Sequence, residues 1–341
     1  MDNNNVVMKL MRSLVSITNE QNQPSTLPLN EQLRDMSALR WNVKVMGALL
    51  AKILYQHPDL MPPPESGTPF SLGWQATKAE DYSKKWFVDA CRKLKIAPIL
   101  HRKVWELAYV LKTLETTGKL ASGMKGIGFG CGEESFPSYF ASRGVQILAT
   151  DLDPRSQQAQ GWVSTNQHTA NLEKAFKPDF ISRPDFDSRV SFSYADMNDI
   201  PKDLHRQFDF CWSVCAFEHL GSIQKGLDFV RESVKLLKPG GIAVHTTEFN
   251  YSEEEKTIDN WGTVLFRKKD FIALKESLEK DGYEVPPLSF DVGKTPVDWF
   301  IDVPPYPGEK GYFDDTMASL HLKLMVDGFP STCYGVVVRR R

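Results

Sequence analysis

Along the first third of the chain, apolar residues recur at three- and four-residue steps, a spacing that predicts amphipathic helices. The stretches with this spacing are 30–57, 79–95 and 100–117. Prolines follow the first stretch, so residues 58–73 are expected to form a linker. The polar residues before the first helix are expected to be frayed or disordered.

From Lys125 onward the pattern changes to short apolar runs that alternate with helical segments. Strands are predicted at the start of 125–134 and at 145–153, 190–194, 208–214 and 241–247, with helices at 135–143, 226–237 and 269–281. This alternation predicts a parallel sheet with helices on both faces. The runs 321–326 and 332–340 flank Asp327-Gly328, which predicts an antiparallel hairpin, and residues 297–306 are expected to form an irregular loop.

Composition narrows the class of protein. The 41 Lys and Arg residues nearly balance the 43 Asp and Glu residues, so a nucleic-acid partner is not expected. The longest apolar run, Val45 to Tyr55, is too short to span a bilayer. No signal peptide is visible, and the five cysteines form no Cys-x-x-Cys pair, so the expected location is cytoplasmic, with reduced thiols and no metal site.

A glycine cluster, GIGFGCGEE at 126–134, lies between a predicted strand and a predicted helix. Glycines there let the backbone turn sharply and approach a ligand closely. The next strand ends in Asp151, about twenty residues on, where a carboxylate can accept the two hydroxyls of a ribose. Together these features predict a nucleotide-like cofactor. A dinucleotide oxidoreductase is disfavoured, because Glu134 stands where that fingerprint has its last glycine.

Three later segments complete the series: SYADMNDIP (193–201), FDFCWSVCAFEHL (208–220) and LLKPGGIAVHTTE (236–248). With the glycine loop and ATDLD, the chain from about residue 100 to 341 resembles the class I S-adenosylmethionine-dependent methyltransferases. The resemblance implies an α/β, Rossmann-like sheet of seven strands in the order 3-2-1-4-5-7-6 with an antiparallel last hairpin. Four segments taken together, HRKVWE (101–106), FGCGEE of the glycine loop, ATDLD and the terminal HLKL hairpin, resemble a bacterial subgroup linked to surface-polysaccharide modification.

That resemblance also implies a domain division and cofactor roles. A polar segment, a helix and a linker form an N-terminal extension at 1–73, a helical lead-in covers 74–120, and the methyltransferase domain covers 121–341, with its acceptor-side loop and terminal hairpin in 250–341. The residues implied to bind S-adenosylmethionine are Gly128, Gly130, Gly132, Asp151, Asp196, Met197 and Ser213. The family usually has an acidic residue at the position of Gly128. A carboxylate from Glu133 or Glu134, or a group of the HRKVWE helix, is expected to compensate.

Candidates for the acceptor side follow the fourth and fifth strands, because ligands bind at the carboxyl ends of the strands in this fold. His219 and His245 are the candidate bases, since histidine has a pKa near neutrality, and Glu248 is the candidate hydroxyl ligand. His245 and Glu248 can both face the pocket only if the strand ends near Thr246. Glu218 is a further candidate base in the same loop as His219. Carboxylates that alternate with aromatic rings suit a carbohydrate, and this set is Asp298, Trp299, Asp302 and Tyr306. His321 is expected to reach the same pocket, and if neither His219 nor His245 is the base, the next candidates are His321, Asp298 and Asp302.

The function expected from these features is O-methylation of a sugar or glycan, or of another small molecule. An N- or C-methyltransferase of a metabolite is one alternative, and a cofactor-binding subunit without catalysis is another, suggested by the departures at Gly128 and Glu134. A homo-oligomer is left open.

Overall fold

The computed structural model of the chain describes residues 27–57, 69–155, 172–252, 255–304, 306 and 320–341. The polar residues before 27 and most of the predicted linker lie outside the described residues. The chain forms two compact units, Met1–Ile53 and Leu54–Arg341. In the first unit the described backbone is that of helix α1 (Leu27–Tyr55). This helix starts three residues before the predicted start and ends two residues before the predicted end. Its last two residues belong to the second unit.

In the second unit, the strands that the structure describes form one nine-stranded sheet. Its strands are β1 (Gln75–Ala76), β2 (Lys125–Phe129), β3 (Gln146–Asp151), β4 (Val190–Tyr194), β5 (Phe208–Val214), β6 (Leu237–Asn250), β7 (Ile301–Asp302), β8 (Lys323–Val326) and β9 (Phe329–Arg339). Their order is β4-β3-β2-β5-β6-β9-β8-β7, with β1 paired to β9. The predicted count of seven was wrong, because β1 and β7 are two-residue strands without a hydrophobic pattern of their own. Without these two, the order reads 3-2-1-4-5-7-6.

The other α-helices of the described residues are α2 (Lys85–Leu94), α3 (Arg102–Thr116), α4 (Phe136–Ser142), α5 (Arg183–Arg189), α6 (Ile223–Ser233), α7 (Lys268–Lys280) and α8 (Pro296–Trp299). Helix α3 packs on β5, β6 and β9. Thr246 of β6 bonds to Glu106 of α3, whereas the adjacent His245 bonds to Ser233 of α6. Since neighbouring side chains of a strand point to opposite faces, α3 and α6 cover the two faces of the sheet.

The terminal hairpin is confirmed. Leu324 pairs with Ser331 and Val326 with Phe329. The turn residues Asp327 and Gly328 have φ angles of 46° and 87°, as a two-residue hairpin turn with matching twist requires. The rest of β9 runs antiparallel to β6.

Two segments differ from the sequence prediction in ways that affect the site. Strand β6 was expected at 241–247 but continues to Asn250, because β9 supplies backbone partners along its whole length. The expected irregular loop at 297–306 instead contains α8 and then β7, which pairs with β8. No helix among the described residues is long and apolar enough to cross a bilayer.

Candidate active site

The glycine loop follows β2 at the carboxyl edge of the sheet. Gly130 and Gly132 have φ angles of 58° and 49°, a backbone region that residues other than glycine rarely adopt. A Cβ on Gly130 would lie 3.1 Å from the Cβ of Ala216, so the loop passes close to the chain that leaves β5. The Gly132 N–H donates to Asp151 Oδ2 over 3.3 Å. In an open sheet of this kind a ligand binds outside the carboxyl ends of the strands, so the loop and the end of β3 border the place expected for one, here called the cleft.

Gly128 is required by packing. It lies within β2, and a Cβ there would come within 2.3 Å of the Trp212 ring and 2.5 Å of the Cys131 sulfur. The buried indole thus occupies the space that an acidic side chain at position 128 would need. The same indole donates from Nε1 to Glu134 Oε2 over 3.1 Å. Trp212 therefore excludes a carboxylate at one position of the loop and holds one at another.

The electrostatic surroundings of Glu134 connect the loop to helix α3. Burial raises the pKa of Glu134 well above its usual range, and the nearby carboxylates Glu106 and Asp151 raise it further. The hydrogen bond from Trp212 and the positive charge of Lys103 act in the opposite direction. The Lys103 side chain is 43% exposed, and its Nζ lies 3.4 Å from Glu106 Oε1. The Lys103 ammonium group therefore lies near enough to Glu134 to act on the charge of its carboxylate. Glu133, in contrast, is exposed and paired with Lys174 over 2.9 Å.

The other predicted cofactor residues lie as follows. Asp151 is 9% exposed, and its Oδ1 accepts from the Leu152 N–H over 2.9 Å. Asp196 is exposed and accepts from the Asn198 N–H over 2.8 Å, while Met197 is buried. Ser213 is fully buried and bonds to His245, so its hydroxyl does not line the cleft.

A second polar group, the acceptor-side cluster, lies where β5 and β6 end beneath α3; it consists of Arg102, Glu106, Cys215, Glu248 and Cys333. The Arg102 guanidinium contacts Glu248 and also Cys333 Sγ, the latter at 3.2 Å. Cys333 Sγ donates to Glu106 Oε1 over 2.8 Å. Cys215 Sγ lies 3.5 Å from Glu248 Oε1. Burial alone would raise the pKa of Glu248, but Arg102 and Lys103 hold it below its ordinary value.

Sequence reasoning singled out only Glu248 of this cluster. Cys215, one of the five cysteines expected only to be reduced thiols, is half-buried beside Glu248 with a φ of 49°, which is unusual for a residue other than glycine. The segment HRKVWE (101–106) contains the one sequence feature that could have pointed to the rest of the cluster. Glu106 is a carboxylate on the apolar side of a helix, and it is fully buried. A buried charge needs a partner, which marks such a position for inspection.

The two predicted bases lie in different environments. His245 is fully buried on the α6 face, where Nδ1 is 2.8 Å from Ser213 Oγ and Nε2 is 3.0 Å from Ser233 Oγ. Burial lowers the pKa of His245 to about 3. Because β6 continues past Thr246, His245 and Glu248 point to opposite faces, and the structure does not bring them together.

His219 lies after β5 in a short 3-10 turn, and its side chain is 20% exposed. Its Nδ1 is 3.0 Å from the Gly262 carbonyl oxygen and 3.1 Å from Thr263 Oγ1. Its Nε2 is 3.8 Å from Glu218 Oε1. His219 is therefore at the expected edge of the sheet, with both ring nitrogens facing protein groups.

The carbohydrate candidates near the C-terminus divide into two sets. Asp298 is buried and caps α8 through Thr295, and it accepts from the Ala79 N–H, so its contacts are structural. Trp299 is 68% exposed. Asp302 and His321 are buried together, with Asp302 Oδ2 2.7 Å from His321 Nδ1, and the Tyr306 ring packs edge-on against His321.

The chain is similar to known proteins in sequence and in structure. A family model described as "Methyltransferase domain" matches residues 102–285, more than half of the chain. No curated protein matches it in sequence.

Three solved structures illustrate the structural similarity. A methyltransferase dependent on S-adenosylmethionine (SAM) from Aquifex aeolicus is 14% identical with a TM-score of 0.35, over 68% of this chain and 89% of its own. An S-adenosylmethionine-dependent methyltransferase from Mesorhizobium loti is 15% identical with a TM-score of 0.37, over 68% and 97%. Phosphoethanolamine N-methyltransferase 2 of Haemonchus contortus, in complex with S-adenosylmethionine, is 19% identical with a TM-score of 0.31, over 52% and 33%. At these TM-scores only the family match carries weight.

Proposed function

The chain belongs to the methyltransferase domain family, and on that basis we propose that it methylates a hydroxyl group of a sugar or glycan acceptor. Its cofactor is S-adenosylmethionine, which supplies a methyl group on a positively charged sulfur. The reaction is a displacement at that carbon, so the protein has to bind the cofactor, align the acceptor oxygen and receive its proton. Each of these three tasks requires its own set of side chains.

The groups beside the glycine loop suit the nucleoside part of the cofactor. The loop exposes backbone at Gly130 and Gly132, where side chains would be strained. Asp151 lies at the end of the neighbouring strand, 3.3 Å from the Gly132 N–H, in the place where a ribose is bound in this type of sheet. We assign the ribose hydroxyls to Asp151 and the adenine to Asp196 and Met197.

The amino-acid part of the cofactor carries an ammonium and a carboxylate group, and the cleft offers one partner for each. Glu134, fixed by Trp212, would bind the ammonium. Lys103, whose side chain is 43% exposed, would bind the carboxylate. This pair performs the task that the sequence resemblance assigns to an acidic residue at position 128. The presence of such a pair argues against a subunit that has lost its cofactor site.

The observation that carries the acceptor assignment is the acceptor-side cluster beside that cleft. Cys215 is followed directly by Ala216, whose Cβ marks the closest approach to the loop at Gly130. Glu248 reaches Cys215 from the adjacent strand. Buried carboxylates that already have hydrogen-bond partners can also hold hydroxyl groups, which suits a polar acceptor. We propose that Glu248 binds acceptor hydroxyls and that Nε2 of His219, whose Nδ1 donates to the Gly262 carbonyl, accepts a further hydrogen bond from the acceptor.

His245 is not included in this proposal. Its two ring nitrogens bond to serine hydroxyls on the α6 face, and its pKa of about 3 makes it a poor proton acceptor at neutral pH.

The test is incubation of the purified chain with methyl-labelled cofactor and a cell-envelope extract, followed by separation of polysaccharide, lipid and small-molecule fractions. The proposal predicts label in sugar-containing material, and an Asp151→Ala protein at the same concentration should transfer much less. Label confined to sugar-free material would contradict the glycan acceptor.

A second candidate rests on one observation. Three carboxylates, Glu106, Glu218 and Glu248, are buried near the acceptor side. Such an acidic set would also bind an ammonium group, which favours N-methylation of an amine as the alternative. The atom that receives the label distinguishes the two functions.

A further inference from the structure

Asp302 and His321 form a buried carboxylate–imidazole pair that the proposed function has not used. Asp302 lies in β7, and His321 lies two residues before β8. Their Oδ2 and Nδ1 atoms are 2.7 Å apart, and their side chains are 2% and 8% exposed. The geometry is that of a carboxylate that fixes the orientation of an imidazole ring.

The pair is attached to the start of helix α3 by backbone hydrogen bonds. The His321 N–H donates to the Leu100 carbonyl, and the Arg102 N–H donates to the His321 carbonyl, each over 2.9 Å. The His101 and His321 rings lie 4.6 Å apart, centroid to centroid. Arg102 continues from this point into the acceptor-side cluster through its contact with Glu248. The imidazole of His321 is thus held at the same edge of the sheet as that cluster.

The contacts determine where the ring protons are. An ionised carboxylate only accepts hydrogen bonds, so Nδ1 of His321 carries a proton and Nε2 has the lone pair. His101 is the reverse case, since its Nδ1 accepts from the Lys103 N–H over 3.2 Å. Burial lowers the pKa of His321, Asp302 opposes that shift and Arg102 adds to it. Burial also lowers the pKa of His101 to about 3.

We propose that Nε2 of His321 is the base that accepts the proton of the acceptor hydroxyl and that Asp302 is its positioning residue. The inference rests on the proposed O-methyl transfer. As the acceptor oxygen forms its bond to the methyl carbon, the carbon–sulfur bond breaks and its electron pair stays on sulfur. The hydroxyl proton passes to Nε2, and Asp302 stabilises the resulting imidazolium. Release of that proton to solvent restores the neutral ring.

His321 suits this task better than His219 and His245, the two histidines that the sequence ranked ahead of it. His245 is on the other face of the sheet, with both nitrogens bonded to hydroxyls. His219 has Nδ1 against a carbonyl and Nε2 directed at Glu218. Of these three, His321 is the one whose Nδ1 bonds to a carboxylate, and a carboxylate both fixes the basic tautomer and strengthens the base.

The experiment compares His321→Gln and Asp302→Asn with the wild-type chain, and His205→Gln is the matched control. His205 lies just before β5, at the opposite edge of the sheet, and bonds to Glu232. Initial rates of label transfer from the cofactor to a panel of methyl glycosides and to an envelope extract are measured between pH 5 and pH 9. Cofactor affinity is measured separately by titration.

We expect His321→Gln to lower the rate by about 10²–10⁴-fold with cofactor affinity retained, and His205→Gln to leave both unchanged. Asp302→Asn should move the acid limb of the rate profile to lower pH, because Asp302 raises the pKa of His321. A merely structural Asp302 would lower the rate without moving the limb. The groups facing His321 that also shape this profile are His101, Arg102, Glu248, Asp302 and Tyr306.

Failure of this inference is distinguishable from failure of the proposed function. If wild type methylates a hydroxyl and His321→Gln does so at the wild-type rate, the base is wrong and the function stands. If wild type binds cofactor but methylates no hydroxyl, both are wrong. A readout without acceptor is nitrogen NMR of the imidazole rings, assigned with His321→Gln. A neutral His321 with its proton on Nδ1 at pH 7.5 supports the pair, and an imidazolium or the other tautomer overturns it.

Discussion

Replacement of Asp151 by alanine is the sharpest test of how the cleft binds its cofactor. The carboxylate is 9% exposed at the end of β3, and the N–H groups of Gly132 and Leu152 hold it over 3.3 and 2.9 Å. A hydrogen bond to a charged group contributes about 1.5–3 kcal/mol, so loss of the ribose contact should weaken binding by that amount. At about 1.4 kcal/mol per factor of ten, the dissociation constant should rise roughly 10- to 150-fold.

Isothermal titration with S-adenosylmethionine and with its demethylated product measures this change. The matched control is Asp153→Ala, which removes a carboxylate two residues further on. Asp153 is 31% exposed and paired with Arg155 over 2.5 Å, so its loss should leave affinity unchanged. The fold should survive both substitutions, because neither side chain is part of the hydrophobic core. Equal affinity for wild type and Asp151→Ala would refute the ribose assignment.

Three further substitutions probe neighbouring parts of the site. Lys103→Met should weaken binding of the full cofactor about tenfold but not of 5′-methylthioadenosine, which lacks the amino-acid carboxylate; equal losses would contradict the assignment. Because the pKa of Glu134 is raised by burial, cofactor affinity should increase as the pH rises beyond the ordinary carboxyl range, and titrations of Glu134→Gln should show no such increase. His245→Gln should lower the free energy of unfolding by about 1–3 kcal/mol, because it disturbs the hydrogen bonds to two buried serine hydroxyls, and it should leave methyl transfer intact. Since folding lowers the pKa of His245 from 6.5 to about 3, the stability that His245 contributes is present above pH 6.5 and is lost as the pH falls towards 3. The free energy of unfolding of the variant should therefore lack this decrease with falling pH. A loss of turnover in the variant would contradict the structural role.

Much of the central sheet could be predicted from the chain, because each strand has its own local pattern. Strands Val190–Tyr194 and Phe208–Val214 have the predicted bounds. Asp327 and Gly328 have the positive φ angles of the hairpin turn that their residue types predict. The two-residue strands β1 and β7 were missed because they depend on distant partners, β9 and β8. The extension of β6 to Asn250 has the same cause. Pairing along β9 stabilises residues that have no strand pattern of their own.

The candidate site shows the same division. Asp151 and the loop glycines could be located from spacing, since a strand end and a tight turn are local features. Arg102 and Cys333 could not, because 231 residues separate two side chains whose atoms lie 3.2 Å apart. Whether His245 and Glu248 share a face of the sheet depends on where β6 ends, and that end is set by pairing with β9, which lies far along the chain. Trp212 explains Gly128 only when the indole is seen to fill the space beside it.

The proposed O-methylation is tested most directly by transfer of a carbon-13 methyl group from the cofactor, with the receiving atom identified by its NMR shift. The purified wild-type chain is incubated with labelled S-adenosylmethionine and an envelope extract, and Asp151→Ala is run beside it. O-methylation predicts a new O-methyl signal with wild type that is strongly reduced with the variant. A signal from an N- or C-methyl group, or no transfer by a chain that binds the cofactor, would contradict it.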